Sequence, residues 1–206
     1  PVATYMQLCA VEDYAFLLES VEGGAVLGRY SAIGLKPDRL IKYENGQCTY
    51  LDTGHDTGKD DWTAFEDTTL DVLKQEVENS RLDQVEDELP PMISSGLFGH
   101  MGYDMVRLVE NIPDNNPDSL NIPDALLMRP TIMVLFDNVK QMMCIATPVR
   151  DHHGSTDKSA EEIYNLACAK ISEIIEKISG PLDRAPYQKD TQLSAPLPRS
   201  SNMTKE

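Results

Sequence analysis

The feature that most constrains the fold is Asn45-Gly46, set between the β-prone runs LIKY and CTYL. Asn-Gly tolerates the positive φ angles of a tight two-residue turn, so residues 39–51 are predicted to form an antiparallel hairpin. The design recurs. AFLLESV (15–21) and GRYSAIG (28–34) are short apolar runs joined through Glu22-Gly23-Gly24, and residues 131–136 face 141–147 across a turn near Asn138. Glycines at 96, 99 and 102 suit a strand lying close against another backbone.

Helices are expected between these strands. The spacing of Leu70, Leu73 and Val77 predicts one near residues 66–80, and Val106 with Val109 predicts a short one over 103–110. The strongest covers about 157–179, where Ile163, Leu166, Ala167, Ile171, Ile174, Ile175 and Ile178 form one apolar stripe. Ser159 with Glu162 resembles a capping box, and Gly180-Pro181 supplies a stop. Residues 1–13 carry little pattern and are expected to lead into the first strand. Loops are expected over 55–61, 84–91 and 111–124, where polar, acidic or proline-broken sequence interrupts the periodicity. Strand pairs with interspersed helices and no βαβ alternation define an α+β domain with a largely antiparallel β-sheet and packed helices. That domain is expected to fill residues 1–180. A Pro-rich linker would follow over 181–199, and the Ser, Asn and Thr caps of residues 200–206 would open a second, truncated domain.

Charge narrows the partners. Thirty-four acidic residues against eighteen basic ones give a net charge of −16, which repels phosphate backbones and anionic lipid surfaces. Neither nucleic acid nor a membrane is expected as a partner. No run approaches 18 uninterrupted apolar residues, and the N-terminus lacks a secretory pattern. Cys9, Cys48, Cys144 and Cys168 have no paired spacing for zinc or redox chemistry, so reduced thiols in a cytoplasmic protein are expected.

Glu19 and Ser20 follow four non-polar residues, where a buried strand meets a polar environment. A carboxylate accepts from an ammonium group and a hydroxyl both donates and accepts, so the pair suits the head of an amino acid. Polar residues also end strands for ordinary reasons of solvation. Arg29, across the first hairpin, either counters Glu19 or faces solvent. Other motifs point to structure. GLFGHMGYD lacks both GxGxxG spacing and a following Lys-Ser or Lys-Thr pair, so its glycines are read as packing positions and its lone His100 as structural. The adjacent His152 and His153 would face opposite ways in a strand and have no nearby cysteine, so they are read as loop residues. Acidic groups such as Glu86-Asp87-Glu88 and Glu161-Glu162 are read as solvated faces. Neither GxSxG nor HExxH occurs.

LLESVEGG followed by GRYSAIG resembles the signature of the anthranilate synthase component I family of chorismate-utilising enzymes. GLFGHMGYDMVRLVENIP, PDALLMRPTIMVLFDNVKQ and SSNMTKE are similar to further segments of that family, so the likeness covers nearly the whole chain. The resemblance implies the N-terminal part of a β/α sandwich. It implies an enzyme that converts chorismate, with ammonia or glutamine-derived ammonia and Mg2+, to anthranilate and pyruvate in the first committed step of tryptophan synthesis. A glutamine amidotransferase subunit, component II, would be its partner. The chemistry belongs to a chorismate-binding region expected to begin near residues 200–206, so no catalytic residue and no metal ligand is assigned to this chain. What carries over is feedback regulation. Leu17, Leu18, Glu19 and Ser20 match the motif that binds inhibitory L-tryptophan, with Arg29 as an accompanying basic residue. The sister enzyme, aminodeoxychorismate synthase component I, has a similar element, but LLES with VEGG favours the anthranilate enzyme. A non-catalytic amino-acid-binding domain is the alternative from another class, and the capping signal at 200–206 argues against it.

Overall fold

A computed structural model describes residues 1–10, 12–20, 28–53, 61–80, 96–115, 117–118, 120–149 and 159–182. The expected turn at 22–24, most of the 55–61 loop, the 84–91 connection, His152-His153, nearly all of the 181–199 linker and residues 200–206 lie outside these.

Two long strands organise the sheet. β2 (Tyr30–Glu44) and β6 (Ala125–Asp137) pair antiparallel along their whole length. Each then borrows two different neighbours along its outer edge. The first half of β2 takes β1 (Ala15–Leu18), and its second half takes β3 (Gln47–Asp52), which in turn pairs with the short β4 (Thr63–Ala64). β6 pairs first with β5 (Phe98–Met101) and then with β7 (Met142–Ala146). Every pairing is antiparallel, as the hairpin signals require.

The Asn45-Gly46 turn forms as expected, with φ of 52° and 77° at its two residues. The continuity of β2 through Pro37 departs from the expectation of two separate strands. Pro37 sits at a register shift, with Lys36 at φ 49°, so the proline falls where a central strand tolerates one. Glycine packing at β5 is confirmed. A Cβ on Gly99 would fall 2.0 Å from the Leu126 carbonyl oxygen of β6, which only a glycine avoids.

Among the described residues, three α-helices cover one face. α1 (Val2–Cys9) replaces the featureless lead-in expected there; Leu8 and Cys9 pack with Ile33, Leu35, Ile132, Val134 and Ile174. α3 (Ala160–Ser179) supplies Ile174 and has the predicted capping box at Ser159 and Glu162. Its stripe is less buried than the periodicity suggests, since Leu166 and Ile175 remain about half exposed. α2 (Thr69–Asn79) starts at a Thr68 cap, but it buries Val72 and Glu76 while Leu70 and Val77 stay exposed. A buried glutamate is sustainable because Arg39 reaches Oε1 at 2.7 Å and Arg129 reaches Oε2 at 2.8 Å. The expected 103–110 helix is a 3-10 turn over Tyr103–Leu108, and it buries Met105, whereas Val109 is exposed.

The opposite face of the sheet is a second apolar layer. Ala32, Met133 and Leu135 form one cluster, and Leu40, Leu51 and Met128 another. Phe16 and Phe98 belong to both, stacked with their centroids 4.6 Å apart.

Candidate functional site

The candidate residues gather at one end of the sheet. β1 ends at Leu18, so Glu19 and Ser20 leave the sheet as exposed residues. Leu18 pairs with Ala32, and two residues further back along β2 Tyr30 pairs with Asp137, the last residue of β6. The end of β1, the start of β2 and the β6–β7 turn therefore share one rim. Gly28 is pressed onto Ser20: a Cβ there would lie 1.7 Å from Ser20 Oγ and 2.3 Å from Ser20 Cβ.

Arg29 pairs with Asp137 and not with Glu19, and it faces solvent in part. Its guanidinium binds Asp137, with Nη2 3.0 Å and Nε 3.3 Å from Oδ2, and it stacks 4.7 Å over the Tyr30 ring. It is half exposed, whereas the Asp137 side chain is only 4% exposed. The hydrogen bonds from Arg29 hold the Asp137 carboxyl below its ordinary pKa against the opposing effect of burial, and the same bonds raise that of Arg29. Asp137 Oδ1 also accepts from the backbone N–H groups of Val139 and Lys140, closing the turn. Its neighbour Asn138 donates from its side chain to Gly28 O at 2.9 Å and from its backbone to Arg29 O at 2.8 Å.

Sequence reasoning missed Asp137 and Asn138 as site residues. A turn-forming Asp-Asn was visible, but nothing in it signals a partner more than a hundred positions away.

Leu18 also lines a cleft of about 530 Å3 with Tyr14, Phe16, Phe98, His100 and Met128. That volume is within the range of small-molecule sites. Its walls are mostly aliphatic and aromatic. His100, at the lining, has Nε2 3.1 Å from Pro123 O, which gives the lone histidine the structural role expected of it. Among the described residues no group of three or more His, Cys, Asp or Glu is gathered to hold a metal ion. No helix among them is long and apolar enough to cross a membrane.

The antiparallel sheet with helices on one face defines an α+β domain of the kind found in anthranilate synthase component I. The solved structure of that protein from Streptococcus pneumoniae aligns with 85% of this chain at a TM-score of 0.51 and 23% identity, over 34% of its own length. No family model matches the chain. Curated relatives do. Anthranilate synthase component 1 of Cereibacter sphaeroides is 38% identical over 90% of this chain, and that of Synechocystis is 32% identical over 88%. The protein of Mycolicibacterium smegmatis is 31% identical over 90%. The chain is thus a homologue of the anthranilate synthase component 1 polypeptides. It spans about one third of the length of these relatives, 35% of the first and 34% of the other two.

Proposed function

We propose that this chain is the N-terminal regulatory part of a cytoplasmic anthranilate synthase component I and carries part of its tryptophan feedback site. The whole enzyme is a lyase that makes anthranilate and pyruvate from chorismate. It takes ammonia directly or from a glutamine amidotransferase subunit, and its Mg2+ ligands and catalytic groups lie in the part of the relatives that this chain does not span. By itself the chain is inactive in anthranilate formation.

The observation that carries the regulatory assignment is the placement of Leu18, Glu19 and Ser20. They leave β1 at a rim that joins an apolar cleft to a fixed guanidinium. Tryptophan presents an ammonium group for Glu19, a carboxylate for Ser20, Arg29 and backbone donors, and an indole for the apolar surface beginning at Leu18. The half-exposed Arg29 keeps donor capacity beyond its bonds to Asp137. Tryptophan bound at this rim and at the catalytic region stabilises the less competent placement of the two, and linkage requires chorismate to weaken it in return.

The test is Ser20→Leu in a polypeptide of the relatives' full length carrying this sequence. Tryptophan should lose its inhibition of anthranilate formation; unchanged inhibition sinks the regulatory assignment. Anthranilate formation by the 206-residue chain alone would overturn its assignment as a non-catalytic part.

A further inference from the structure

We propose that Asp137 and Asn138, in the β6–β7 turn, are positioning residues for the amino-acid rim: they fix the Gly28–Arg29 segment against Ser20. The inference rests on the tryptophan reading of Leu18, Glu19, Ser20 and Arg29.

Three contacts carry it. Asn138 ties down both peptide groups of the segment, donating to Gly28 O at 2.9 Å and to Arg29 O at 2.8 Å. Asp137 takes Nη2 and Nε of Arg29 on one carboxylate, so the guanidinium plane is set from one side and its Nη1 edge is left for another acceptor. Gly28 meets Ser20 with no room for a Cβ, so the position of the segment is also the position of the hydroxyl. A carboxylate ligand at Ser20 thus meets a guanidinium whose rotamer is already chosen, and the ordering cost does not fall on binding.

Charge alone predicts the reverse. Asp137 partly neutralises Arg29, so if the guanidinium acted only as a loose positive charge, removing Asp137 would strengthen the attraction for a carboxylate. Positioning and neutralisation therefore give opposite signs, which makes the assignment decidable.

The experiment uses the full-length polypeptide with Asp137→Asn, Asn138→Ala, Arg29→Ala, the Arg29→Ala/Asp137→Asn pair and Ser20→Leu. The tryptophan concentration for half inhibition is measured beside the thermal midpoint. Asp137→Asn keeps the acceptor for the turn, and Asn138→Ala removes one side-chain bond, so each samples the clamp by a different route. Both should raise the half-inhibition concentration by about tenfold. The pair should be no worse than Arg29→Ala alone, because Asp137 acts through Arg29. Tighter inhibition in Asp137→Asn overturns the proposal, as does a lowered thermal midpoint with unchanged inhibition in both turn variants. If Ser20→Leu abolishes inhibition while the turn variants do not alter it, positioning fails and the tryptophan reading stands. If inhibition is unchanged in every variant, both fall together.

Discussion

Arg129 donates from Nη1 to Glu76 Oε2 at 2.8 Å, with both side chains more than nine-tenths buried. The other oxygen of Glu76 takes Arg39, which also binds Asp52, while Arg129 also binds Asp38. One carboxylate from α2 thus answers two cations of the sheet. Burial opposes the charge on Arg39, but its bonds to Asp52 and Glu76 outweigh that and raise its pKa. Glu76→Ala leaves two guanidiniums short of a buried partner and should cost about 3–5 kcal/mol. The thermal midpoint should fall by roughly 10 °C. Calorimetry checks this, and a loss below about 1 kcal/mol would rank the cluster with exposed ion pairs.

Acid should selectively weaken the rim. The pKa of Asp137 in the folded chain lies below that of the unfolded chain, about 3.9. Its contribution is therefore complete above the unfolded value and is lost as the pH falls through the folded one. Urea midpoints of the wild type and Asp137→Asn should differ at pH 7 and converge toward pH 3. A difference that persists undiminished at pH 3 means that the negative charge is not what Asp137 supplies.

Gly28→Ala tests the contact with Ser20 directly. The new methyl group would overlap both the side chain and the backbone oxygen of Ser20, the latter at 2.9 Å, so the β1 end must move. A destabilisation of about 1–3 kcal/mol is expected in denaturant titration. Gly102→Ala is a useful comparison, since its Cβ would meet Asp124 O at 3.1 Å and the neighbour needs to give only slightly.

The thiol of Cys9 should be chemically quiet. Burial in the α1 cluster, aided by Glu12, pushes its pKa up from 9.0 to about 11. At pH 8 its thiolate fraction falls to about one in a thousand, from about one in ten for an ordinary thiol. Iodoacetamide labelling followed by peptide mass spectrometry should therefore modify Cys9 about 100-fold more slowly in the native chain than in urea. Equal rates in the two states would contradict the burial.

Local chemistry was legible, and long-range partnership was not. Asn45-Gly46, the Ser159 capping box and the close-packed Gly99 each declare themselves within a few residues, and all three form as read. Helix α2 shows the limit. Its periodicity was plain, yet which face turned inward was decided by Arg39 and Arg129 on two strands, so Glu76 displaced Leu70 and Val77 from the interior. The rim divides the same way: Glu19 and Ser20 stand out as polar residues at a strand end, but the partner of Arg29 lies 108 positions away. The local signals for β2 and β6 stop short of the full strands, because a proline normally ends a strand and here occurs inside one.

Those two prolines, Pro37 and Pro130, face each other across the central pair of strands. Neither has an N–H to give, so they can face each other only as a non-hydrogen-bonded pair, with the flanking residues making the ladder bonds. Thr131 Oγ1, donating to Lys36 O at 2.6 Å, and the cluster around Glu76 supply side-chain ties nearby. The middle of the sheet thus carries a register shift between Pro37 and Arg39, reinforced by side chains. Fraying that begins at the rim meets the register shift at Pro37 before it reaches the Asn45-Gly46 hairpin, so the two ends of one sheet should exchange their amide protons as separate cooperative units.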